Sequence, residues 1–417
     1  MINHKVKIKI HRGIDQIGGC ITEISSKNTK ILIDFGHNLP DKYENVDNLA
    51  NEKAVNSIVK GCDAILYTHF HGDHVGLFHL VPDNIPQYIG CGAQEVMACL
   101  YRHLKDNIKL DKIRRCFKNY YPGQRLYFGD IVVTPFFSSH SAFDSYMFLV
   151  ETNGFQILHT GDFRSHGFLG KTVDKIIDKV KFVDVLITEG TMLGRKDENV
   201  KVENEIESDA INLMRKYKNV FVMCSSTDME RQAAFYAANR KMIRRPYVCD
   251  NYQKEILDIF TKRSGKYTPL FDFGNAIPFS LGNHKLLEWM HQRGFTMPLR
   301  ASMGNFIDVL LEHFGQDDTL LIYSMWNGYY IDNTKSYFSE KINDIRNKFK
   351  NCIDLHTSGH ADIQTLANVC SSLAPKLAIV PIHREKDSDF SSIGITDDLK
   401  SRIVTKTKII GDLYIEA

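Results

Sequence analysis

The chain has 417 residues, enough for two or three domains at roughly 100–200 residues each. Its 52 Lys and Arg against 50 Asp and Glu leave a net charge of +2, which removes any global field aimed at a polyanion, a membrane surface or an acidic partner. A hydrophobic content of 43% and a charged content of 24% are those of a folded globular chain and exclude disorder and low-complexity repeats. No stretch reaches the ~18 apolar residues of a membrane span, and the start MINHKVKIKIHR lacks a secretory h-region. A soluble, cytoplasmic protein with no membrane partner is expected. The nine cysteines include no C-x-x-C pair and read as reduced, mostly buried thiols.

The first ~190 residues are rich in strand signals. Val6 to His11 alternates, and Ile21 to Ser25 and Lys30 to Phe35 flank a Ser-Lys-Asn turn. Short apolar runs follow at Ala64 to Thr68, Gln87 to Ile89, Ile131 to Phe136, Met147 to Glu151, Gln156 to Thr160 and Val183 to Thr188. In four of them a cluster of His, Asp or Glu sits just past the carboxyl end of the strand. From about Val202 the pattern becomes helical at Glu203 to Lys216, Asp228 to Arg240 and Tyr252 to Lys262. Buried-looking strands at Val220 to Cys224, Tyr247 to Cys249 and Thr319 to Tyr323 alternate with these helices, as in α/β layers. A helix at Ile363 to Ser371 and strands at Lys376 to Ile382, Ile403 to Lys406 and Leu413 to Glu416 then resume the style of the first part. The expected organisation is therefore a first domain part over 1–195, an insertion over 196–350 and a second part over 351–417.

The sharpest chemical feature is Thr68-His69-Phe70-His71-Gly72-Asp73-His74, directly after an apolar strand. Three imidazoles and a carboxylate in one strand-end loop can point at one small volume, and they are ligand types that borderline-soft dications prefer. Further donors stand at comparable strand ends: His140 in Ser138-Ser139-His140, Asp162 in Thr160-Gly161-Asp162, and His383 in Pro381-Ile382-His383.

In these motifs the sequence resembles the metallo-β-lactamase superfamily, whose first motif is His-x-His-x-Asp-His. Thr188-Glu189-Gly190-Thr191, His356-Thr357-Ser358-Gly359-His360 and Pro381-Ile382-His383 narrow the resemblance to its β-CASP nuclease branch, which includes RNase J. Tyr323-Ser324-Met325-Trp326-Asn327-Gly328-Tyr329 resembles a stretch of that branch's inserted domain. The resemblance implies an α/β fold, a metallo-β-lactamase αββα sandwich with an inserted α/β β-CASP domain. It also implies two Zn²⁺, with Mn²⁺ able to replace them. His69, His71 and His140 would hold one ion, Asp73, His74 and His383 the other, with Asp162 bridging. Two such cations can stabilise a bridging hydroxide and the charge developing on phosphoryl oxygens. Asp73, His360 and Glu189 are the catalytic residues the resemblance implies, with His360 as general acid and Glu189 orienting it. His356, Thr357, Ser358, Gly359 and His360 would cradle a substrate phosphate, with backbone N–H and hydroxyl groups. The same Ser-Gly-His-Ala-Asp stretch also reads as a helix start before Ile363.

Other features bear on the partner. Tyr101 to Arg125 carries Arg102, Lys105, Lys109, Lys112, Arg114, Arg115, Lys118 and Arg125 against two acids, interleaved with Phe117, Tyr120 and Tyr121. That mixture suits single strands through stacking and phosphate contact, and equally fits a solvated helix pair. Arg240, Lys241, Arg244 and Arg245 form a weaker cluster, and Ser225, Ser226 and Thr227 suit either a phosphate or a helix cap. The expected activity is a metal-dependent ribonuclease, RNase J-like, endo- or 5′-exonucleolytic or both. Single-stranded RNA is the expected partner, DNA the alternative, and a homodimer a further expectation. RNase J enzymes usually continue into another C-terminal domain, whereas the sequence here stops at Ala417, so their usual assembly is not expected to carry over, and Arg384-Glu385 stands where they commonly have Gly-Glu. The competing readings are hydrolysis of a small ester or lactone, a DNA-directed β-CASP nuclease, and a non-catalytic scaffold.

Overall fold

Alternation in Val6–Arg12 buries every second side chain at its start, so this strand lies with one face on a core and the other toward solvent. The computed structural model describes residues 5–39, 47, 49–195 and 200–417. Val6–Arg12 belongs to an eight-stranded sheet in the order Lys408–Ile410, Leu413–Glu416, Val6–Arg12, Ile21–Ser25, Lys30–Ile33, Ala64–Leu66, Gln87–Gly90 and Phe117–Tyr120. A six-stranded sheet runs Ala378–Ile382, Val185–Glu189, Phe155–His159, Ser145–Thr152, Ile131–Ser138 and Leu126–Phe128. Each sheet thus combines strands from both ends of the chain, and Val6–Arg12 pairs in parallel with Leu413–Glu416.

The two sheets share one apolar core, in which Ile8, Ile24, Ile33, Leu66 and Ile415 of the first meet Val133, Phe148, Val150, Ile187 and Val380 of the second. Burial of each such side chain contributes roughly 1.5–3 kcal/mol. Helices cover the outer faces. Val55 and Val59 of Glu52–Val59 and Val96 and Met97 of Cys91–His103 pack with Leu32 and Ile65. On the other side, Val173 and Ile176 of Thr172–Val180 and Leu366 and Val369 of Ile363–Leu373 pack with Leu158, Leu186 and Ile379. The result is the expected αββα sandwich.

A third sheet, wholly parallel, runs Phe295–Leu299, Asn219–Met223, Thr319–Tyr323 and Cys352–Asp354. Its first three strands are buried along their whole length, as apolar runs covered on both faces must be. Its edge strand Cys352–Asp354 lies just past the 350/351 boundary expected from sequence. Helices Met229–Arg240 and Asn251–Phe260 join this region to the sandwich, since Ala233, Tyr236, Ile256 and Phe260 belong to the same core as Phe78 and Val96.

Two local differences have identifiable causes. The expected strand Ile403 to Lys406 reduces to one bridge between Ile403 and Ile379, with Thr405 and Lys406 exposed. Helix Cys91–His103 has no local start signal, because its first amides Gly92 and Ala93 donate to Asp144, some 50 residues away, at 2.7 and 3.1 Å. A cap that comes from a distant loop satisfies the helix end without leaving a trace in the helix's own sequence. All nine cysteines are free thiols. Among the described residues no helix is long and apolar enough to cross a membrane.

Candidate active site

Strands Phe155–His159, Val185–Glu189 and Ala378–Ile382 run parallel, so their carboxyl ends deliver Asp162, Glu189 and His383 to one edge of the sandwich. Ala64–Leu66, facing them from the first sheet, delivers the loop with His69, His71, Asp73 and His74 to that edge. The carboxyl end of Ile131–Ser138 adds His140. Such edges are where open α/β sheets bind ligands.

The potential ligand atoms of His69, His71 and His140 lie within 4.8 Å of one another, as do those of His69, His74 and Asp162. His383 Nε2 lies 3.2 Å from Asp73 Oδ2 and 3.6 Å from Asp162 Oδ2. His74 Nε2 lies 3.1 Å from Asp162 Oδ2. All seven residues expected as metal ligands therefore meet in one place, with Asp162 between the two groups.

Outer partners aim the imidazoles. Asp34 is fully buried and accepts from His74 Nδ1–H at 2.8 Å and from the Thr68 hydroxyl at 2.8 Å. The Thr68 oxygen then accepts from His69 Nδ1–H at 3.0 Å. His140 Nδ1–H donates to the Gly359 carbonyl at 2.7 Å, and His383 Nδ1 meets Thr191 Oγ1 at 2.7 Å. Each of these contacts occupies Nδ1 and leaves Nε2 to the cluster, the arrangement that fixes tautomers in metal sites.

The donor set fits a pair of divalent cations. His69 buries an Nε2 with no hydrogen-bond partner, and His74 Nε2 meets the Asp162 carboxylate at 3.1 Å; a bound cation would satisfy both. Burial, reinforced by neighbouring imidazoles, holds His69 well below the ordinary histidine range. Burial does the same to His140 and lowers His71 to about 4. These imidazoles are neutral, with the lone pairs a metal needs. Burial opposes the charge on Asp162, but the His383 and His74 imidazoles prevail and hold its carboxyl well below the usual range.

The backbone is strained here. His383 and Asp34 adopt left-handed conformations at φ 51° and 59°, which cost of order 1–3 kcal/mol each outside glycine and cluster at functional sites. Gly161, at φ +54°, precedes Asp162 where a Cβ would stand 2.8 Å from the Thr68 Cβ.

His360 Nδ1 lies 2.9 Å from Glu189 Oε2, 3.2 Å from Thr191 Oγ1 and 3.7 Å from Asp162 Oδ2. Burial would lower the His360 pKa, but buried Glu189 beside it wins and raises it. Glu189 also accepts from the Phe163 amide at 2.8 Å, which ties its carboxylate to the strand-end loop of Asp162.

The rest of the His356–His360 segment faces inward. The Thr357 hydroxyl donates to the Lys201 carbonyl at 2.6 Å and the Ser358 hydroxyl points at Met192 Sδ at 3.2 Å. His356 Nδ1 meets Arg231 Nη1 at 3.2 Å. These three side chains hold the loop, so any phosphate contact by the segment would fall to its backbone N–H groups and His360. Gly359 lends its carbonyl to His140.

Sequence reasoning missed the group behind this loop. Arg164 and Arg231 are fully buried and share Glu203, which Arg231 engages at 2.9–3.1 Å and Arg164 at 3.2 Å. Arg231 also donates to the Thr357 carbonyl and Arg164 to the Ser358 carbonyl, at 2.9 and 3.4 Å. Asp228 lies 3.1 Å and Glu230 3.7 Å from Arg164. Asp34 and Thr191 were missed as well, although Asp34 ends a buried strand as the expected ligands do. Cys20 lies within ligand distance of His74 and His383 and was not anticipated.

The basic run does not converge on the cluster. Lys112 is buried against Asp83 and the Val81 carbonyl, Arg115 pairs with Asp83 and Asp111, and Arg102 with Glu255. Arg245 donates to the Tyr217 carbonyl at 3.0 Å. Asp228, not the preceding hydroxyls, caps helix Met229–Arg240 by accepting from the Arg231 amide.

Comparison with known proteins agrees with this geometry. Residues 29–222 match a family described as "Beta-lactamase superfamily domain". Ribonuclease J from Helicobacter pylori strains ATCC 700392 / 26695 and B128 is 27% identical over 167 residues, 39% of this chain. The match spans only 24% of the length of those relatives. A crystal structure of a protein of unknown function from Enterococcus faecalis V583 superposes with a TM-score of 0.71 at 18% identity, over 92% of this chain and 95% of that one. Residues 29–222 are thus similar to a beta-lactamase superfamily domain, and the chain has the metallo-β-lactamase fold.

Proposed function

We propose that this protein is a two-metal phosphodiesterase that cleaves single-stranded RNA, with residues 196–350 inserted between the two sandwich parts 1–195 and 351–417 as in the β-CASP nucleases. The observation that carries this reading is the His360–Glu189 pair, 2.9 Å apart beside the ligand cluster. Cleavage of a phosphodiester needs a proton for its leaving oxygen, and this pair supplies an acid separate from the metal ligands. The 27% identity to Ribonuclease J supports RNA as the substrate.

His69, His71 and His140 would hold one cation and Asp73, His74 and His383 the second, with Asp162 shared. Bound there, two Zn²⁺ or Mn²⁺ ions would supply Lewis acidity toward phosphoryl oxygens and make water usable as a nucleophile near neutral pH. The Glu189 carboxylate accepts from His360 Nδ1–H and so aims Nε2–H at the leaving oxygen. The raised pKa keeps the imidazolium populated until that proton is passed on. The buried guanidinia of Arg164 and Arg231 hold the carbonyls of Ser358 and Thr357, which fixes the backbone that carries His360.

The test is incubation of the purified protein, in Zn²⁺ or Mn²⁺, with end-labelled RNA and matching single-stranded DNA bearing 5′-phosphate or 5′-hydroxyl, beside Asp162→Asn. Metal-dependent cleavage of RNA that the variant abolishes is expected. Bound metal with neither strand cut, and hydrolysis of a small ester or lactone instead, would overturn the reading.

A further inference from the structure

A cavity of about 330 Å³ opens on the same edge of the sandwich and takes no part in the reaction above. Gln87–Gly90 and Phe117–Tyr120 follow Ala64–Leu66 in the first sheet, all parallel. Their carboxyl ends place Cys91 and Tyr121 in the cavity wall, as the end of Ala64–Leu66 places His69 in the ligand cluster. With neighbouring strands ~4.8 Å apart, the cavity starts roughly 5–10 Å along the edge from that loop. Phe143 and Asp144, three and four residues after His140, line it as well.

Its chemistry is aromatic, and the cations beside it, Arg263 and Lys262, share Glu95 at 2.7 and 2.6 Å. Tyr120 and Tyr146 are buried and meet edge to face at 4.8 Å, while Tyr121 and Tyr267 are 56% and 78% exposed and stand at the mouth. Arg263 lines the cavity from the π-helical turn Thr261–Gly265, which also carries Lys262, and Lys266 follows directly. Single π turns occur mostly at functional positions. The Tyr146 hydroxyl spends its proton on Asp144 at 2.6 Å, so its oxygen remains an acceptor, and Ser264 and Thr268 add hydroxyls. The volume lies at the small end of the ~300–1,000 Å³ of small-ligand pockets, sized for one base with its ribose. Flat rings that take a π-face, with cations around them for the backbone, are how proteins hold single strands without reading sequence.

We propose that this cavity is a nucleobase-stacking subsite, holding one base of the single-stranded RNA whose scissile phosphate lies at the ligand cluster. It rests on the RNA-cleaving reading and adds where the strand runs: along the sheet edge toward Tyr121 and Tyr267. This gives Tyr120 and Tyr121 of the 101–125 run a place beside the strand.

The test uses the full chain with metal chelated, so that no strand is cut, and short single-stranded RNAs carrying 2-aminopurine at successive positions. Quenching at one position is expected, together with slower alkylation of Cys91 when RNA is present, read by peptide mass spectrometry. Tyr267→Ala and Tyr121→Ala, both exposed positions, should each weaken RNA binding roughly ten-fold and restore the fluorescence. Protection of Cys91 in the unmutated chain serves as a readout that no variant's folding can confuse. RNA that binds in a filter assay yet leaves every 2-aminopurine bright and Cys91 unprotected would refute the subsite and leave the ribonuclease reading intact. RNA that neither binds nor is cut when metal is restored would sink both.

Discussion

Replacing Glu203 with Ala removes the carboxylate that Arg164 and Arg231 share. Glu203 is buried, with its oxygens 2.9–3.2 Å from nitrogens of both guanidinia. Arg164 would keep Asp228 at 3.1 Å, but Arg231 would keep as hydrogen-bond partners neutral acceptors, among them Ser324 Oγ at 2.7 Å, the Thr357 carbonyl at 2.9 Å and His356 Nδ1 at 3.2 Å, with Asp228 the acid left to act on it. Leaving a buried charge without its partner costs about 3–5 kcal/mol. At ~2–4 °C per kcal/mol for a domain of 150–250 residues, the melting temperature should fall by roughly 6–20 °C. Thermal unfolding followed by the fluorescence of Trp289 and Trp326, the two tryptophans, measures it. A second variant tests the mechanism. Glu203→Leu with Arg231→Met replaces the pair by apolar side chains and leaves Arg164 its other two acids, so it should be more stable than Glu203→Ala. A single variant that melts within 2 °C of the parent, or a double variant that loses the sum of the two single losses, would show that the ion group is not coupled.

The other expectations are simpler. His71→Ala should lose bound metal, counted by elemental analysis, and with it cleavage; full occupancy and activity would remove His71 from the ligand set. His360→Ala should keep the metal content of the parent while cleavage slows by roughly 10²- to 10⁴-fold, and metal loss would make His360 a ligand instead. Gly161→Ala puts a Cβ 2.8 Å from Thr68 at a positive φ and should lower both melting temperature and metal affinity, whereas a neutral result would contradict the close approach. Glu23 is opposed by burial, yet His11 and Lys30 hold its pKa at about 2. Its stabilising share is therefore present above its unfolded value, near 4.3, and lost as pH falls toward 2. The melting-temperature gap between the parent and Glu23→Gln should narrow from pH 6 to pH 3, and a constant gap would refute the assignment.

The candidate cluster was legible because each of its residues lies in a loop that follows a short apolar strand. His69 to His74, His140, Asp162 and His383 need only strands that end at one edge, and the parallel pairing supplies that edge. Helix Glu203–Lys216 and strand Thr319–Tyr323 were legible for a similar reason, since their apolar periodicity lies within the segment itself. What the sequence hid is carried by partners far along the chain. Asp34 reads as one more residue of a strand until His74 and Thr68 are packed on it. Arg231 reads as a polar position of a helix, although it is buried and reaches Thr357, 126 residues on. The inward turn of the Thr357 and Ser358 side chains follows from those same contacts, which lie far along the chain. Cys91–His103 went unread because Asp144 caps it from outside.

Strand Val6–Arg12 pairs with Leu413–Glu416, and the contact of Lys9 with Glu416 spans 407 residues. Likewise Asp73 waits for His383 across 310 residues. At the ~5–20 residues per second of protein synthesis, a chain that has just made Asp73 is roughly 15–60 s away from making His383. During that time His69, His71 and His74 can offer a passing cation only a partial set of ligands. A cation at the position of Asp73, His74 and His383 would therefore find its full set of ligands only after the distal strand Ala378–Ile382 has been made.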